Sequence, residues 1–157
     1  MKYFTSRIWS GLNAIDPQAR KSALEWADQA WDQYYAYLDS IRPRLSARRW
    51  RTILQCHGLH DCVIESVSIS YRSRGRRTVA DVRFILETRT VLFKDVTRFS
   101  FQINNQTAFP CGNYGWDYCE FELLDTGRMT ISILGDVTNQ IDLEFESIEF
   151  SRRRSKD

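Results

Sequence analysis

The chain has 157 residues, 43% hydrophobic and 27% charged, a composition ordinary for one globular domain and unlike that of a disordered or low-complexity polymer. A formal net charge of +2 argues against a polycation that binds by charge alone, yet the charge is uneven: from Trp116 to Phe150 nine acids face one base, Arg128. No apolar run approaches the ~20 residues of a membrane span, and the opening residues lack a signal-peptide pattern. The four cysteines are therefore read as thiols and a cytoplasmic location is expected, with no membrane partner.

Taken in chain order, Thr5 or Ser6 can cap a short first helix through about Asn13, because a hydroxyl there satisfies amides that lack intrahelical partners. Asp16-Pro17 is a helix start. The stripe Leu24, Ala27, Trp31, Tyr34, Leu38, Ile41 then advances by three and four, predicting an amphipathic helix of about 24 residues that ends at Pro43. Leu45 to Gln55 predicts a third helix, stopped near Gly58.

From Cys62 the hydrophobic period changes to two. Cys62 to Tyr71, Thr78 to Thr88 and Val91 to Ile103 read as strands, with Arg74-Gly75 as the first turn. After a turn-rich loop, Thr107 to Gly115, the strands Trp116 to Leu124 and Met129 to Leu134 flank Asp125-Thr126-Gly127. The last strand, Gln140 to Phe150, changes parity between Phe145 and Ile148, which predicts a bulge near Glu146-Ser147. The expected fold class is α+β. Two to three N-terminal helices (1–58) pack on a five- to six-stranded antiparallel β-meander (62–150), in one domain (1–151) followed by a basic disordered tail (152–157).

Several of these segments together resemble a family of uncharacterised bacterial proteins described as a domain of unknown function. The resemblance rests on Met1-Lys2-Tyr3-Phe4-Thr5, the aromatic-rich helix Ala23 to Ile41, the junction Leu59-His60-Asp61, and the late pattern Trp116-Asp117-Tyr118-Cys119-Glu120, Met129 to Leu134 and Asp142 to Phe150. Small domains with a Leu-His-Asp junction and a β-meander are similar to immunity proteins of polymorphic-toxin systems. The resemblance implies toxin neutralisation and assigns no catalytic residue.

Candidate chemistry starts at Cys56-His57-Gly58-Leu59-His60-Asp61-Cys62, where two thiols, two imidazoles and a carboxylate fall close together. The spacings Cys56 to Cys62 and Cys111 to Cys119 are longer than those within a zinc ligand pair, so no metal and no other cofactor is expected. His60 and Asp61 are read as a structural junction, Asp61 accepting backbone N–H bonds at the turn and His60 packing beneath the sheet. Arginines at Arg48, Arg49 and Arg51 and at Arg74, Arg76 and Arg77 are candidate phosphate contacts.

The acidic strands carry the leading reading. With Cys119, Phe121 and Leu123 inward, alternation puts Trp116, Tyr118, Glu120 and Glu122 on the other face, and Asp142, Glu144 and Glu146 oppose Ile141, Leu143 and Phe145. Aromatic anchors rimmed by carboxylates suit a basic protein partner. The sequence is accordingly read as a non-catalytic protein-binding domain, specifically an immunity protein for a cognate toxin domain. The alternatives are a nucleic-acid-associated protein using the arginine clusters and a small enzyme or metal site at Cys56 to Cys62.

Overall fold

The change of hydrophobic period near Cys62 is also the boundary between helices and strands in the computed structural model, which describes residues 1–102, 114–135 and 139–152. The first helix, α1 (Ser6–Leu12), follows Thr5. The second, α2 (Pro17–Ile41), begins where the Asp16 carboxylate accepts the N–H groups of Gln18 and Ala19 and proline occupies the first turn. A 3-10 turn at Arg42–Arg44 holds Pro43 and ends α2. Ser46 then accepts the Arg49 N–H to start α3 (Ala47–His57).

The buried stripe of α2 is Ala23, Ala27, Ala30, Tyr34, Leu38 and Ile41, whereas Leu24, expected inside, is half exposed. Close packing of α1 on α2 is the reason. A Cβ built on Gly11 would stand 2.6 Å from the Ala23 Cβ, so the small residues and not the leucine mark the contact face.

Nine strands follow among the described residues: β1 (Cys62–Arg74), β2 (Arg77–Leu86), β3 (Arg89–Val96), β4 (Arg98–Gln102), β5 (Tyr114–Trp116), β6 (Tyr118–Leu123), β7 (Met129–Gly135), β8 (Asn139–Phe145) and β9 (Ser147–Arg152). They form two antiparallel sheets, ordered β5-β1-β2-β3-β9 and β4-β8-β7-β6. The fold is α+β with antiparallel sheet. The six extended runs of the sequence are present, but three of them bend, at Thr97, Asp117 and Glu146, and each bent run gives one half to each sheet. Strands that switch sheets at bends are how two crossing sheets share corners.

Followed through its pairings, the order of runs is first, second, third, sixth, fifth, fourth and back to the first through β5 on β1. A simple meander is thereby replaced by two three-run meanders joined into a ring. The corners are held by backbone bonds: Thr97 N–H to Glu144 O (2.9 Å), Glu146 N–H to Lys94 O (3.0 Å) and Asp117 N–H to Leu134 O (3.0 Å). The bulge expected near Glu146 is one of these corners, and Arg152, assigned to the tail, still pairs with Arg89. The expected loop, 107–115, lies largely outside the described residues.

Phe93 of the first sheet meets Phe145 of the second at a ring-centroid distance of 5.0 Å, and within the first sheet Phe84 meets Trp116 at 5.8 Å, in one aromatic core. No helix of the described residues is long and apolar enough to cross a membrane.

Candidate functional site

In the second sheet the register lines residues up in rows across four strands. Arg98, Glu144, Thr130 and Glu122 form one row, and Ser100, Asp142, Ser132 and Glu120 form the next. The intervening rows, Phe99-Leu143-Ile131-Phe121 and Phe101-Ile141-Ile133-Cys119, belong to the opposite face, whose Leu143, Ile131, Phe121, Ile141, Ile133 and Cys119 are buried. Strand alternation therefore puts Glu120, Glu122, Asp142 and Glu144 on one outward face.

The two aromatics expected beside them are elsewhere. Trp116 is fully buried, because the corner at Asp117 resets the alternation and places β5 in the first sheet, with Trp116 opposite Cys62. Tyr118 is half buried, stacked on Phe4 (5.2 Å) and edge-on to His60 (5.1 Å). Glu146 lies at the third corner and pairs with Arg49 (3.1 Å) and Arg128 (3.5 Å).

The outward carboxylates have different duties. Both oxygens of Glu120 are taken by the backbone N–H groups of Lys2 (2.6 Å), Tyr3 (2.8 Å) and Phe4 (2.5 Å), so this buried acid anchors the N-terminal segment. Glu144 pairs with Arg128 (2.9 Å) and accepts from the Thr97 hydroxyl. Asp142 accepts from Ser132 (2.5 Å), Gln140 (2.8 Å) and Ser100 (3.3 Å). Glu122 is exposed.

Between the N-terminal segment and this face runs a cleft of about 300 Å³, with Met1, Lys2, Tyr3 and Tyr37 along one wall and Glu120, Glu122, Ser132 and Asp142 beneath. A device that sequence reasoning missed holds the wall in place. The N–H groups of Phe121 and Leu123 on the outer edge of β6 donate to the hydroxyls of Tyr34 (2.7 Å) and Tyr37 (2.9 Å) of α2. Two tyrosines three apart on a helix facing an edge strand are the signal, but only the fold says which strand they meet.

The arginines do not gather into one surface. Arg49 donates to the carbonyls of Gly127 (2.8 Å) and Glu146 (3.3 Å) as well as to the Glu146 carboxylate. Arg74 pairs with Asp95, as does Arg72, which also pairs with Asp81. Arg48 and Arg51 on α3 and Arg76 and Arg77 at the β1–β2 turn are exposed.

At the Cys56 to Cys62 junction, Cys56, His57 and His60 line one small cavity of about 20 Å³ together with Cys119. Burial pushes the Cys56 thiol well above its ordinary pKa, raises that of Cys62 and lifts Cys119 to about 12, the reverse of what an activated thiolate requires. Cys111 lies outside the described residues. Burial also lowers His57 to about 4, and its Nε2 lies 3.2 Å from the Tyr34 hydroxyl.

His60 and Asp61 differ from their expected roles. The His60 ring is exposed rather than packed beneath the sheet, and its Nδ1 meets the Asp61 carboxylate at 2.8 Å. Asp61 serves through its backbone, in the left-handed region (φ 65°), with its N–H on Trp116 O (3.0 Å), which leaves its carboxylate in solvent. Among the described residues, no group of three or more His, Cys, Asp and Glu side chains is arranged to hold a metal ion. In comparison with known proteins, the sequence matches no family model and no curated protein significantly.

Proposed function

We propose that the protein is a non-catalytic binding domain that takes a basic protein partner on the outward face of its second sheet. The specific form of that role is an immunity protein that occludes a cognate bacterial toxin domain. One observation carries the reading: Glu120, Glu122, Asp142 and Glu144 share a face, and a cleft of about 300 Å³ opens over the first three of them. Arg128 balances Glu144, and backbone amides bind Glu120, which leaves Glu122 and Asp142 as the carboxylates that a partner would meet, with the exposed Arg98 as a cation on the same lining. Carboxylates so placed steer a basic partner and penalise an acidic one. The resemblance carried by Leu59-His60-Asp61 supports the immunity form.

A second reading, nucleic-acid binding, is favoured by the exposure of Arg76 and Arg77 at the β1–β2 turn. Both are tested by retaining interactors from the native cell lysate on tagged protein at moderate salt. The leading reading expects one stoichiometric basic protein, lost on Glu122→Lys and kept on Arg76→Glu with Arg77→Glu. Retention of nucleic acid that the arginine reversal abolishes establishes the second reading instead. A partner indifferent to Glu122→Lys overturns the proposed face.

A further inference from the structure

The acidic end of the cleft already holds a cation. The backbone N–H of Lys2 is fixed on Glu120, and the Lys2 ammonium lies 5.3 Å from the centroid of the Tyr3 ring and 5.9 Å from that of Tyr37. Those two rings stand 6.2 Å apart. Both distances fall within the reach of a cation–π contact. Burial raises the Tyr37 hydroxyl pKa, the Glu122 charge adds to that rise and the Lys2 charge opposes it, so a carboxylate and an ammonium both act on the same ring.

These groups amount to a half-open ammonium site: two aromatic faces, Glu122 at the rim and Asp142 on the floor. Its occupant is an exposed lysine whose main chain is tethered and whose side chain is free to swing out. We infer that this end of the cleft is a receptor for a lysine side chain of the basic partner, and that Lys2 is its resident placeholder in the free protein. The inference deepens the binding role proposed above and rests on it. The lysine class follows from the occupant, since a compact ammonium is what the two rings and the carboxylate already accommodate.

Displacement of Lys2 opposes partner binding, so removing its ammonium should strengthen capture of an external one. The test titrates wild type, Lys2→Met and Lys2→Met with Glu122→Gln with an acetylated, amidated tetralysine peptide, following Tyr3 and Tyr37 by nuclear magnetic resonance. Tetra-arginine and tetraglutamate serve as comparators, and thermal melting confirms that each variant is folded. Lys2→Met is expected to bind tetralysine about fivefold more tightly than wild type, with shifts centred on the two rings, and Glu122→Gln should abolish that gain.

Equal binding by wild type and Lys2→Met, shifts centred away from Tyr3 and Tyr37, or a preference for tetra-arginine each overturns the lysine receptor. The proposed face is judged separately. A captured partner whose affinity falls on Glu122→Lys but is unmoved by Lys2→Met removes the lysine receptor and leaves the binding face standing.

Discussion

The Tyr34 hydroxyl accepts the backbone N–H of Phe121 at 2.7 Å, so a helix side chain satisfies an edge amide that a neighbouring strand would otherwise take. Tyr37 does the same for Leu123, two residues along β6. The i, i+3 spacing of the helix is thereby matched to the i, i+2 spacing of outward amides on a strand.

Removing the Tyr34 hydroxyl leaves a buried amide unpaired. Tyr34→Phe is expected to cost about 1–3 kcal/mol in urea unfolding, with the denaturant slope unchanged. Tyr37→Phe should cost less, because Tyr37 is only half buried and water can reach the Leu123 amide. Equal losses at the two positions would contradict the edge-capping role.

Burial of His57 beside the same Tyr34 oxygen makes stability depend on pH. The phenol that accepts the Phe121 N–H also lies 3.2 Å from His57 Nε2. Burial holds the folded pKa at about 4 against the ordinary 6.5, so between those values the unfolded chain binds more protons. Stability is complete above about pH 6.5 and declines as pH falls towards 4, by roughly 3 kcal/mol at most. Asp81 is opposed by burial but held low by its bond from Arg72, and it contributes a loss of the same sign only below 3.8, outside this window. Urea midpoints at pH 7.5, 5.5 and 4.5 should trace the decline, and His57→Gln should flatten it.

Asp95 sits at a bulge near the end of β3, where the pairing with β2 shifts register, in the left-handed region with φ 53°. Its carboxylate pairs with Arg72 (2.6 Å) and Arg74 (2.5 Å), and its N–H donates to Asp81 (3.0 Å). Asp95→Ala loses both the ion pairs and the tolerance for positive φ, and should cost roughly 2–4 kcal/mol. Asp95→Asn keeps the backbone tolerance and an acceptor oxygen, so thermal melting should place it between wild type and alanine.

Trp116 and Glu122 separate fold from site. Trp116→Ala should cost about 3–5 kcal/mol by emptying the centre of the core. Glu122→Gln, on the exposed face, should leave thermal stability within about 0.5 kcal/mol of wild type. A tolerated Trp116→Ala would contradict the core assignment.

By itself the sequence determined the elements: the start of α2 at Asp16-Pro17, the turn at Gly75, the six extended runs and the inward set Cys119, Phe121 and Leu123. Those signals are local, since capping, turn chemistry and side-chain period are written within a few residues of where they act. The outward placement of Glu120, Glu122, Asp142 and Glu144 was legible for the same reason. Only the tertiary structure decided that Asp117, Thr97 and Glu146 are corners, which moved Trp116 from the expected face into the core and paired the third run with the last. It also decided that Glu120 anchors residues 2–4, that Arg49 and Arg74 are spent on internal partners, and that Tyr37 and Lys2 wall the cleft. Each joins groups tens of residues apart, and a partner across the fold leaves no mark in the local pattern of either segment.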